Sequence, residues 1–169
     1  MAQSSQPIPT LAIGQDHLHL AAVCQIARGQ LRVALPTDAA WQARARESAD
    51  FLARLLREHG VVYGVTTGYG DSCTVAIQPH LVDDLPHQLV RFHGCGMGRV
   101  FEAPTGLAVL AVRLASLARG YSGVRLELLQ LLAELINHQI VPVIPEEGSV
   151  GASGDLTPLS YVAAVLIGE

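Results

Sequence analysis

Apolar positions recur along this chain in blocks, and glycine or proline closes most of them. In LAIGQDHLHLAAVCQIARGQLRVALP, from Leu11, the pattern predicts a short strand, a turn, a helix over Leu18–Ala27 and a second short strand over Leu31–Ala34, closed by Pro36. Thr37 or Asp38 is placed to cap a helix that runs on to Gly60, with Phe51, Leu52, Leu55 and Leu56 as the stripe of an ordinary core helix. The following VVYGVTTGYGDSC is too rich in glycine for a regular element and too aromatic for a floppy linker, so it reads as an ordered loop. Residues 80–93 look helical, and GCGMG at 94–98 breaks them. Two strongly apolar helices, Pro104–Leu117 and Val124–His138, flank ARGYSG; their stripes are wide enough to predict burial on most sides. A Pro-Gly connector, IVPVIPEEGSVGASGD, leads to an apolar helix over Leu156–Ile167, with Asp155 as its cap and Pro158 in its first turn. The polar, Pro-containing residues 1–10 read as a flexible arm. The pattern is mainly α, with minor short strands.

Length changes little: 169 residues suit a single segment with one core. Composition changes more. Half the residues are apolar and 15% are charged, against about 25% charged in a typical soluble domain, which points to surface hidden in an assembly or a larger polypeptide. The last helix sharpens this, because LSYVAAVLIG has nothing downstream to cover it; the chain is expected to be part of a longer protein. Net charge is −4 and all eleven basic residues are scattered arginines, so no basic stripe argues for nucleic acid or an anionic membrane. A small neutral or zwitterionic partner fits better. Cys24, Cys73 and Cys95 are odd in number and widely spaced, as reduced thiols in a cytoplasmic protein would be. Neither a signal peptide nor a membrane-spanning run stands out. His17, His19, His59, His80, His87 and His138 form no ligand-spaced cluster, so no metal is expected.

The loop GSVGASGD, from Gly148, is where chemistry concentrates. A phosphate cradle would need a Walker lysine or a GxGxxG spacing, and a nucleophile elbow would need GxSxG; the loop meets none of these. A plain structural connector remains open. So does a reading built on Ala152-Ser153-Gly154. In a tight bend the Gly154 nitrogen can attack the Ala152 carbonyl, and loss of water, including the Ser153 hydroxyl, leaves a 4-methylidene-imidazol-5-one.

At this point the sequence resembles the aromatic amino-acid ammonia-lyase family, which includes histidine, phenylalanine and tyrosine ammonia-lyases and related aminomutases. PVIPEEGSVGASGDLTPLSYVAAVLIGE at 142–169 is similar to that family's cofactor-forming signature. YGVTTGYGD at 63–71 resembles its tyrosine loop, LPHQLVRFHGCGMG at 85–98 its substrate-selecting helix, and RLASLARGYSGVR at 113–125 the connector between its long helices. Thr66 and Tyr69 depart from the family, which usually has Asn and Phe there.

The resemblance implies the N-terminal part of a fumarase/aspartase-like helical bundle with ordered Gly-rich loops, assembled as a homotetramer. It implies elimination of ammonia from an aromatic L-amino acid to give an arylacrylate, or, as the alternative, a 2,3-aminomutase or an inactive fragment of such an enzyme. Ala152, Ser153 and Gly154 would form the electrophile that protein side chains do not offer. Tyr63 would be the base for the weakly acidic β-proton; a phenol ordinarily ionises near pH ~10, so it needs nearby dipoles or charges. Gly64, Gly68 and Gly70 would let the loop close over substrate, with Gly70 beside it. Phe92 and His93 would face the substrate ring, Phe92 as an apolar surface and His93 as a hydrogen-bonding group. Phe at the first of these positions resembles phenylalanine-selective members, and His at the second resembles histidine-selective ones. The family's carboxylate-binding residues and second tyrosine are expected beyond residue 169.

Overall fold

A computed structural model of the chain describes residues 7–15, 17–151 and 153–169. These described residues form two compact units, one lying within 1–46 and 101–143, the other within 47–100 and 144–169. Of the arm expected at the N-terminus, residues 1–6 lie outside the described residues. The Pro9 carbonyl already accepts from the Arg32 amide, and Thr10 opens the first strand.

In the first unit, β1 (Thr10–Ala12) pairs in parallel with β2 (Arg32–Ala34), and Leu11 sits opposite Val33. Parallel strands need a crossover, here α1 (Leu20–Ala27). It begins two residues later than the apolar pattern suggests, because His19 is still extended. α1 packs on α4 (Ala103–Leu117), α4 on α5 (Leu126–Asn137), and α5 on β2. The Asn137 side chain completes the sheet: its Oδ1 accepts from the Val33 amide at 2.9 Å and its Nδ2 donates to the Val33 carbonyl at 2.8 Å. A side-chain amide thus does what a third strand would do. Leu107, Leu110, Leu114, Leu129, Leu132 and Trp41 fill the core, and the Trp41 indole N–H donates to the Ala118 carbonyl at 3.1 Å. The two apolar helices are not buried on most sides, since Val112 and Leu131 face solvent; one stripe on each is enclosed.

α2 (Ala39–His59) starts in this unit and crosses its boundary at residue 46. Asp38 caps it, accepting from the amides of Ala40 (2.9 Å) and Trp41 (3.0 Å). Gly60 ends it at φ +68°, a left-handed conformation that favours glycine. The reading of Phe51, Leu52, Leu55 and Leu56 as a core stripe is wrong. Phe51 is 57% exposed, under the Arg54 guanidinium, and the three leucines are half-buried. Among the described residues, α2 buries Trp41 and Ala45, at its start.

In the second unit, the helix expected over 80–93 begins as a single 3₁₀ turn, Pro79–Leu81, and becomes α3 only over Leu85–His93, with Pro86 in its first turn. GCGMG does end that helix, but a strand follows that the pattern did not announce: β3 (Met97–Val100) pairs antiparallel with β4 (Pro145–Glu147). The register slips between Met97 and Val100, where Gly98 has φ +80° and a Cβ would stand 2.7 Å from the Glu147 carboxylate. This is a glycine bulge. α6 (Leu156–Ile167) has the expected bounds and packs on α3. Asp155 is not its side-chain cap: at φ −106°, ψ −13° it lacks the extended backbone from which a carboxylate reaches the first-turn amides. No helix among the described residues is long and apolar enough to cross a membrane.

Candidate active site

Tyr63, Gly70, Phe92, His93, Ser153 and Gly154 all fall in the second unit. Ala152 lies outside the described residues. The described contacts gather the others into three local groups.

The first is the loop after α2, which is held by its own hydrogen bonds. Gly68 donates to Val75 and Ile77 to Thr66, across a Thr67–Ala76 bridge. Gly68 cannot carry a side chain, because a Cβ would meet the Ser72 carbonyl oxygen at 2.6 Å. Thr66 and Tyr69, the two departures from the family pattern, both take part: Thr66 Oγ1 accepts from the Val62 amide at 2.8 Å, and the Tyr69 hydroxyl donates to the Gly64 carbonyl at 2.8 Å. The Tyr69 ring meets Tyr63 edge-on, with centroids 6.0 Å apart. Burial, and secondarily the neighbouring Tyr63, pushes the Tyr69 phenol above its usual range, so Tyr69 stays a protonated donor. The Tyr63 hydroxyl oxygen accepts from the Gly70 amide at 3.1 Å, and the Tyr63 side chain is otherwise open, at 62% exposure. One phenol is locked away and the other is presented.

The second group ends α3. Phe92 is 78% exposed, and its ring meets that of His93 edge-on at 5.2 Å. His93 Nδ1 lies 3.0 Å from the Leu89 carbonyl. A carbonyl only accepts, so Nδ1 carries the hydrogen, and in the tautomer with that hydrogen alone Nε2 is the acceptor.

The third group is the loop before α6. Gly151 (φ +88°) and Gly154 (φ +71°) both adopt left-handed backbone, and the Ser149 hydroxyl donates to the Gly154 carbonyl. A Cβ at position 154 would stand 3.1 Å from Ser149 Oγ. The loop therefore requires glycine at the position where a cyclising triplet needs an unhindered amide, and the residues described here fit that group. Its approach is fixed from behind: a Cβ at Gly148 would meet Thr157 Cγ2 at 2.8 Å and Gly96 Cα at 3.1 Å, and the Gly96 amide donates to the Tyr161 hydroxyl at 2.9 Å. Arg91 Nη2 adds an ion pair to Glu169 at 2.5 Å.

Ser149 and Tyr161 were not singled out by sequence. Tyr161 carries a signal, as the one aromatic ring in a largely apolar helix. Two clefts, of about 310 and 740 Å³, are lined by first-unit residues and by none of the groups above.

The sequence profile described as aromatic amino acid lyase matches residues 18–169. A histidine ammonia-lyase of Myxococcus xanthus is 42% identical over 161 residues, covering 95% of this chain and 31% of that protein. Among solved structures, a tyrosine aminomutase from Streptomyces globisporus superposes with a TM-score of 0.84 at 36% identity, covering 96% of this chain and 30% of the other. A histidine ammonia-lyase from Trypanosoma cruzi superposes with a TM-score of 0.77 at 28% identity, over 95% and 30% of the two chains. The chain spans about a third of the length of these relatives.

Proposed function

The chain belongs to the aromatic amino acid lyase family, and on that footing we propose that the protein containing it eliminates ammonia from an aromatic L-amino acid to give an arylacrylate. The observation that carries this reading is the Gly70 amide directed at the Tyr63 oxygen. The reaction breaks a Cβ–H bond and a Cα–N bond, and neither partner is easily removed at neutral pH. When formed from Ala152, Ser153 and Gly154, the 4-methylidene-imidazol-5-one supplies an electrophile for the substrate's amino group. Tyr63 takes the β-proton, and the Gly70 N–H holds the negative charge of the phenolate. Tyr69, tied to the Gly64 carbonyl, keeps the ring edge of Tyr63 in place.

The substrate ring lies on Phe92, with His93 Nε2 as acceptor. An acceptor rewards a ring that carries a donor, an imidazole N–H or a phenol O–H, over bare phenyl. Histidine and tyrosine are therefore the preferred substrates, ahead of phenylalanine. The exposure of Tyr63 and Phe92 supports a site completed by further chain and by other copies in a homotetramer. Three free thiols suit a cytoplasmic setting.

The test uses the full-length protein. Its intact mass should fall short of the encoded mass by two waters, and Ser153→Ala should abolish both that deficit and arylacrylate release. An unchanged elimination rate in Ser153→Ala would sink the proposal. A second reading, a 2,3-aminomutase, is favoured by the likeness to the tyrosine aminomutase; chromatographic detection of a β-amino acid product would establish it.

A further inference from the structure

We infer that Ser149 is a positioning residue for cyclisation of the triplet, an inference that rests on the function proposed above. Its hydroxyl donates to the Gly154 carbonyl five residues on, so a single hydrogen bond ties position 149 to the residue that supplies the attacking nitrogen. Ring closure joins the Gly154 nitrogen to the Ala152 carbonyl carbon and releases that carbonyl oxygen as water. A second water takes the Ser153 hydroxyl and the hydrogen on its Cα, leaving the exocyclic methylidene. Two waters leave, and neither oxidant nor reductant is needed.

The Gly154 carbonyl stays outside the new ring, so the bond from Ser149 persists through every step. At Gly154 the φ of +71° sets the amide side of the residue and the tether from Ser149 sets its carbonyl side. The residue that supplies the attacking nitrogen is therefore held at both ends, and an intramolecular reaction speeds up as such freedom is removed. The tether also has a firm base, because Gly148 is pressed against Thr157 and the Gly96 backbone. Ser149 itself is exposed, so exchanging its side chain disturbs no core packing.

In the full-length protein, intact-mass spectrometry at intervals after synthesis would follow loss of the two waters, with circular dichroism and the thermal midpoint as controls for folding. Ser149→Ala should cyclise about tenfold more slowly, the rate equivalent of one ordinary hydrogen bond, with an unchanged thermal midpoint. Ser149→Thr should mature like the wild type. Ser149→Val, of nearly the same shape without the hydroxyl, should lag like Ser149→Ala. Wild-type maturation rates in Ser149→Ala or Ser149→Val, or a Ser149→Thr protein as slow as either, would overturn the inference while leaving the proposed function intact. A wild-type protein that retains both waters would overturn both.

Discussion

The Gly70 amide donates to the Tyr63 phenolic oxygen at 3.1 Å, so the atom assigned to receive the substrate proton already faces a donor. Removing that oxygen should spare cofactor formation and stop the chemistry. In Tyr63→Phe the two-water mass deficit should remain, while kcat for arylacrylate release, followed by ultraviolet absorbance, falls by about 10²–10⁴, the usual contribution of a positioned base. Loss of the mass deficit together with activity would instead place Tyr63 in loop folding.

Asn137 satisfies both backbone groups of Val33. Asn137→Ala orphans them, at a cost of about 1–3 kcal/mol for partly buried groups. Hydrogen exchange at the Val33 amide should accelerate roughly five- to 150-fold on that basis. Asn137→Asp should be worse at neutral pH than at acid pH, each compared with wild type, because only the protonated carboxyl can donate to the Val33 carbonyl.

Asp38 adds a pH dependence. The amides of Ala40 and then Trp41 hold its carboxyl below the usual value of 3.8. A carboxylate whose folded pKa is depressed stabilises the fold fully above its unfolded pKa, and that stabilisation disappears as pH falls through the folded value. The thermal midpoint should therefore lose this contribution below about pH 4. Asp38→Asn retains a good cap and should flatten that part of the acid slope, whereas Asp38→Ala should lower the midpoint at neutral pH by about 2–4 °C.

Apolar periodicity and punctuation sufficed for α4 and α5, because Pro104 and the glycines around Tyr121 mark where these helices start and stop. They failed at β3 and β4, two short, exposed segments that share no alternation and pair across 44 residues of intervening chain through a bulge. The stripe at Phe51 shows the complementary error, since a correct helical period does not say which turns of a long helix are covered. The candidate residues could be named from the sequence by type. Their partners could not, because Gly70 acts through its amide, Gly154 through its carbonyl and Leu89 through its carbonyl, and side-chain identity encodes none of these backbone contacts.

The Asn137–Val33 pairing also sets a schedule for synthesis. The two residues are 104 positions apart, which at ordinary translation rates of roughly 5–20 residues per second separates their emergence by about 5–20 s. Throughout that interval both strands of the parallel pair are available but the outer edge of β2 waits for its amide clasp, while residues 47–100 emerge between them and belong to the other unit. On the ribosome, the first unit is the earlier to begin and must still wait for α5 before its sheet is sealed.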